Sequence, residues 1–414
     1  MTSITTHQLD NGLQIVFEPI ASASSVAVNW LLPAGSASDS AEGEGHATLL
    51  SEMIFRGAGD LDSRAHSDAM DRYGVQRSAD VLTNHLQLRA TMLGSRLNDA
   101  LPLVVDMVRR PHLPADKLDA GRSLCLQSLA GIDDEPQQLV MLQLKHQHHP
   151  TPFNRHGYGT VEVLTNADIE DVRRAWRQRF VPDGSILCFA GSVDPDATMK
   201  RINDLLGDWS GSIDEPQEIA PADRGVTQLK RDTSQVHIGM AWDAPPEPDE
   251  SSMLERMAVS VLSGGTSGRL FTEVRQKRSL CYSIGASYHA GRDRGLITLY
   301  TGTTPDRAQE TIDVCYEQLD AMREGITQDE FDRAATGLKS RLIMQGESTA
   351  ARAGSLGQDL YRIGRPRSLD EVAEAIDAVT LDDLSAYLAE RSFGTATVAA
   401  IGEADLTLHT PSAV

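Results

Sequence analysis

Apolar and polar positions along the chain change period repeatedly, and the changes divide it into short strands and amphipathic helices. A turn at Asp10-Asn11-Gly12 leads into Leu13-Gln14-Ile15-Val16-Phe17, so 6–18 reads as the start of a hairpin. The apolar run 25–32, Ser-Val-Ala-Val-Asn-Trp-Leu-Leu, is a second strand ended by Pro33 and Gly35. Over 45–57 the period lengthens: Ala47, Leu50, Ile54 and Phe55 recur at helical spacing, and Gly57 with Gly59 closes the helix. A helix over 63–73 stops at Gly74, and 80–92 alternates as a strand. Leu97, Leu101, Val104, Val105 and Val108 line one face of a helix over 95–109, with Pro102 inside the run and Pro111 after it. Further helices are predicted over 114–132 and 137–147. Another begins at Thr165, with Asp168 in its first turn and a stripe of Ile169, Val172, Trp176 and Phe180. The strand 185–191 follows.

That last unit returns near the C-terminus. A capped helix over 379–388 and a strand over 396–402 repeat the order helix, turn, strand, glycine, acid, with Thr380 standing 215 positions after Thr165. An internal duplication explains the length better than two unrelated domains. The acidic, proline-containing stretch 212–225 reads as a linker between an N-terminal domain, 1–211, and a C-terminal domain, 226–414. Helices and strands are mixed without strict alternation, which predicts an α+β class.

Composition narrows the partners. The chain carries 59 acidic against 38 basic side chains, a net charge of −21, which repels nucleic acid. Its start lacks a basic segment followed by an apolar core, and no apolar run approaches the roughly 20 residues of a membrane helix. Cys125, Cys188, Cys281 and Cys315 lie scattered in apolar segments, as buried thiols of a reducing compartment do. A cytoplasmic location is expected.

The stretch 45–57, Gly-His-Ala-Thr-Leu-Leu-Ser-Glu-Met-Ile-Phe-Arg-Gly, resembles the metal helix of the pitrilysin/insulinase family of zinc peptidases, Gly-x-Ala-His-x-x-Glu-His-Met-x-Phe-x-Gly. In that pattern two His on one helical face hold zinc and the Glu activates water. Ala47, Met53, Phe55 and Gly57 match it, but Thr48 takes the first His, Ser51 the Glu and Glu52 the second His. A third family ligand, a Glu ahead of Asp-x-Pro, corresponds to Ser128 in 124–129 ahead of Asp134-Glu135-Pro136. The resemblance extends through Leu9-Asp10-Asn11-Gly12-Leu13, His149-Pro150 and Gly159-Thr160, then Leu262-Ser263-Gly264-Gly265-Thr266-Ser267-Gly268-Arg269-Leu270-Phe271 and Ile376-Asp377-Ala378-Val379-Thr380. It implies two homologous halves, each a mixed, largely antiparallel sheet with helices packed on one side. It also implies a degenerate zinc helix that holds no metal and needs no cofactor of its own.

The second half keeps what the first has lost. Arg275 and Tyr282 match the family's Arg/Tyr pair, which hydrogen-bonds the substrate backbone near the scissile carbonyl, where negative charge grows as water attacks. The plain alternative is an Arg275 paired with Glu273 beside a half-buried strand tyrosine. Gly264 and Gly265 begin a glycine run that serves either as a substrate-side loop or as a helix-to-turn connection. In two-chain members one chain carries the zinc and the other the Arg/Tyr pair. The resemblance therefore implies a non-catalytic, substrate-binding subunit of a heterodimeric zinc metallopeptidase, one that cleaves unstructured peptides inside a clam-like chamber with a zinc-bearing homologous partner. The alternative is a scaffold or peptide-binding protein of the same fold. The run Lys145-His146-Gln147-His148-His149 reads as an exposed helix end favourable to the dipole, not as a metal site.

Overall fold

The computed structural model describes residues 4–231, 233–404, 406 and 407; the first three residues of the polar N-terminal segment lie outside them. Thr5–Gln8 and Gln14–Pro19 form the expected hairpin. Gly12 makes its turn at φ 94°, and the Asn11 amide pins it by donating to the carbonyls of Leu206 at 2.7 Å and Trp209 at 2.8 Å. The first sheet runs Thr5–Gln8, Gln14–Pro19, Ile186–Gly191, Ser25–Leu32, Leu86–Leu93, Gln76–Val81. Gln14–Pro19 and Ile186–Gly191 pair in parallel, and every other neighbouring pair is antiparallel.

The inner strands are apolar on both faces, so both faces must be covered. Ile15, Phe17, Val28 and Trp30 pack with the helices His46–Met53, Leu97–Arg109 and Ile169–Arg179 through Leu50, Leu101 and Val172. Val16, Ala27, Leu31 and Cys188 point the other way, onto Ala353, Leu356 and Leu360 of the helix Thr349–Ile363. That helix is fastened by Arg352, whose Nε donates to buried Glu18 at 2.8 Å.

The second sheet repeats the plan: Val226–Leu229, Thr397–Ile401, Val236–Ala244, Gly295–Thr303, Cys281–Ala290, with only the first pair parallel. Its larger core joins the sheet to Ser252–Ser263, Ala308–Arg323 and Leu381–Glu390. Its other face is covered by Pro136–His148, through Val140 and Leu144 against Ala241, Ala399 and Ile401.

Two compact units result. The first takes the described residues up to Ile132 with Pro150–Pro221 and Gln345–Ser368; the second takes Asp133–His149, Ala222–Met344 and the described residues from Leu369 onward. A single cut at 212–225 therefore does not separate them, because each unit draws one sheet-covering helix from the other half of the sequence. The two borrowed helices occupy equivalent places in the repeat.

Local details differ from expectation in two places. Thr165 lies in the short helix Val161–Asn166, and the following helix is capped by Asp168, whose side chain and that of Asp171 form a reciprocal capping box. Thr380 and Asp383 form the same box in the second unit, so Thr380 matches Asp168, 212 positions earlier. The stretch 80–92 is two strands, Gln76–Val81 and Leu86–Leu93. Between them Leu82 and Thr83 accept from Ser36 and Ala37, and the chain comes so close to Gly35 that a Cβ there would meet Thr83 O at 2.4 Å. No helix among the described residues is long and apolar enough to cross a membrane, and all four cysteines are buried free thiols.

Candidate functional site

In the first unit the helix His46–Met53 starts at Gly45, φ 130°. The carboxylate of Asp39 accepts from Gly45 N at 2.9 Å and Ala47 N at 3.2 Å, and buried Arg179 pairs with it. The metal-type helix is thus firmly built, but its side chains are turned to other uses. Thr48 Oγ1 donates to Gly157 O at 3.0 Å, Ser51 Oγ donates to Thr48 O at 2.8 Å, and Glu52 is ion-paired with Arg56 one turn on. Ser128 stands exposed on the helix Leu118–Gly131. One turn before it, the Cys125 thiol donates to Thr48 O at 3.8 Å; burial, reinforced by the Glu52 charge, pushes that thiol up to about 12, so it is no thiolate. Neutral hydroxyls and a guanidinium-neutralised carboxylate do not fit zinc, which takes imidazole, thiolate and free carboxylate. Among the described residues no three His, Cys, Asp or Glu come together as a metal site.

The C-terminal end of this helix, the helix Ser63–Arg72 and the edge strand Gln76–Val81 border an open cleft of about 580 Å³ lined by Glu52, Phe55, Arg56, Ser67, Arg77 and Ala79. Arg77 carries no local motif. Its one signal in the sequence is a cation on the strand face shared with Val75 and Ala79.

In the second unit the helix Ser252–Ser263 ends at Gly264, whose N–H donates to Ser260 O at 2.7 Å. Ser263 Oγ accepts from Ala286 N at 2.8 Å, so the turn beginning with Gly264 and Gly265 is tied to the edge strand Cys281–Ala290. Phe271–Lys277 is wound as a π-helix, and Ser279, φ 52°, reverses the chain into the strand. The register slips between Cys281 and Ser283, leaving Tyr282 as the bulged residue, 76% exposed. The Arg275 guanidinium lies 4.8 Å from the Phe271 ring centroid and 5.6 Å from that of Tyr282. Glu273 is taken by Lys277 at 2.6 Å and Arg278 at 3.1 Å, so Arg275 has no carboxylate partner among the described residues. The result is a held guanidinium and a free phenol beside an unpaired sheet edge, an arrangement able to donate to a carbonyl oxygen.

Of the histidine run only His146 is exposed, so the run is not the exposed helix end expected. His148 is buried, with Nδ1 2.9 Å from Thr397 Oγ1 and Nε2 3.2 Å from Asp243 Oδ1. Burial lowers its pKa, and burial with its cationic neighbours takes His149 down to about 4.

Comparison with known proteins agrees with this architecture. Residues 14–160 match the family model described as Insulinase (Peptidase family M16), and 166–338 match the model described as Peptidase M16 inactive domain. An uncharacterized zinc protease of Mycobacterium bovis is 27% identical over 404 residues, 94% of this chain and 91% of that protein. The crystal structure of a peptidase M16 inactive domain from Pseudomonas fluorescens shares the fold at TM-score 0.86 and 18% identity, covering 98% of this chain and 100% of that one. That of a protease from Helicobacter pylori does so at TM-score 0.88 and 17% identity, covering 97% of this chain and 100% of that one. The chain belongs to the pitrilysin/insulinase peptidase family, M16, as a degenerate member.

Proposed function

We propose that the chain is the non-catalytic, substrate-binding subunit of a heterodimeric zinc metallopeptidase acting on unstructured peptides in the cytoplasm, with the zinc carried by a homologous partner chain. The observation that carries this reading is the division of labour between the units. Thr48, Ser51, Glu52 and Ser128 stand where ligands and base would be, while Arg275 and Tyr282 remain stacked at 5.6 Å on an open strand edge. An extended peptide would add to the edge strand Cys281–Ala290, its backbone satisfying the free N–H and C=O groups. Arg275 and Tyr282 would donate to the carbonyl oxygen on which charge develops. Gly264 and Gly265 would let the peptide backbone pass close to the turn. A pure scaffold has no use for an unpaired guanidinium held in this way.

The test is reconstitution. Mixing this chain with a zinc-bearing homologue from the same organism should create peptidase activity that neither shows alone and that Arg275→Ala reduces sharply. Activity indifferent to this chain would end the proposal.

A further inference from the structure

Resting on the peptide-binding reading, we infer that the cleft beside the degenerate metal helix is a subsite for an acidic side chain, a Glu or Asp of an extended peptide, recognised by Arg77, with Arg56 lining the same cleft. Arg77 sits on the edge strand Gln76–Val81, whose inner neighbour is Leu86–Leu93 and whose outer side has no strand partner among the described residues. A peptide added there would set a side chain directly across from Arg77 on the same sheet face, the geometry of a cross-strand pair.

Arg77 is half-buried. It lies 5.9 Å over the Phe55 ring and donates to Ser67 Oγ at 3.2 Å, but no carboxylate ion-pairs with it among the described residues. Its pKa is lowered by burial, against the pull of Asp71. Arg56, also lining the cleft, is already neutralised by Glu52. The cleft therefore holds two guanidiniums against one carboxylate, with hydroxyls of Ser63, Ser67 and Ser78 around them. Charge-assisted hydrogen bonds to a planar guanidinium favour a carboxylate over an amide of the same shape. The chain's charge of −21 opposes an acidic ligand at long range. At physiological salt, charges beyond about 8 Å are screened, and the local pair decides.

The experiment measures binding of short unstructured peptides to the full chain by fluorescence anisotropy. The peptides come in pairs, Glu against Gln at successive positions, each with a free and an amidated C-terminus. At one position the Glu peptide should bind about tenfold more tightly than its Gln twin, amidated or not. Arg77→Gln should remove that difference, the Glu peptide losing far more affinity than the Gln peptide, while Arg77→Lys keeps part of it. Equal affinity of Glu and Gln peptides at every position overturns the acidic subsite while leaving peptide binding intact. Discrimination only between free and amidated ends overturns it in favour of a terminal carboxylate. Failure of all peptides to bind overturns the peptide-binding reading and the subsite with it. The comparison of twins on the wild-type chain decides even where a variant fails to fold.

Discussion

The Arg275 guanidinium lies 5.6 Å from the ring centroid of Tyr282, at the bulge where the edge strand of the second sheet breaks its register. Phe271 backs the guanidinium from within the π-helix at 4.8 Å, so the group is held by rings and leaves its hydrogen-bonding edge uncommitted. In the reconstituted peptidase, Arg275→Ala or Tyr282→Phe is expected to lower kcat by about a hundredfold, the usual effect of deleting one donor to a developing oxyanion. Steady-state kinetics check this. Unchanged rates would remove the role from the pair.

The degenerate helix keeps its backbone frame, with Asp39 holding the N–H groups of Gly45 and Ala47. Restoring the side chains should therefore restore the site. The combined variant Thr48→His, Ser51→Glu, Glu52→His and Ser128→Glu is expected to bind stoichiometric zinc, as measured by metal analysis after dialysis. A metal-free variant with native circular dichroism would show that more than these side chains has been lost.

Arg352 and Glu18 form a buried pair at 2.8 Å, with side chains 4% and 3% exposed. Arg352→Met strands the carboxylate and is expected to cost about 3–5 kcal/mol in chemical denaturation. Glu18→Gln with Arg352→Met should recover part of that. A loss below about 1 kcal/mol would mean that Thr349–Ile363 does not seat on the first sheet as described.

His149 titrates at about 4, below the ordinary 6.5, because burial and cationic neighbours disfavour its charged form, and His148 is lowered as well. Folding therefore favours the neutral rings. Their stabilisation is complete above pH 6.5 and is lost as pH falls from there toward 4, by about 1–3 kcal/mol for His149. Thermal melts of His149→Gln should show a shallower fall over that window. Parallel pH profiles for variant and wild type would contradict the assignment.

Much of this was legible in the residues. The helix over 95–109 follows from its apolar stripe, and the metal-type helix from its spacing, but that helix ends at Met53, and Gly57 and Gly59, expected to close it, belong to the short hairpin that follows. The apolar runs Ser25–Leu32 and Ile186–Gly191 signal strands, but the family resemblance implies helices on one side of the sheet, and both faces are covered. What they do not signal is the cover: the apolar faces of Pro136–His148 and Thr349–Ile363 carry no mark of which sheet each seeks. The bulge at Tyr282 and its edge position depend on strand order, which no local spacing encodes. Arg56, just past a helix end, and Arg77, on a strand edge, line the same cleft, a convergence beyond any motif. The linear histidine run misled, because burial against Thr397 and Asp243 outweighed the helix dipole.

The account turns on whether this chain can hydrolyse peptides unaided. Purified alone and dialysed against zinc buffer, it should retain no stoichiometric zinc and cleave none of a mixture of unstructured peptides. Zinc bound beside Glu52, or proteolysis by the lone chain that a chelator stops, would contradict it.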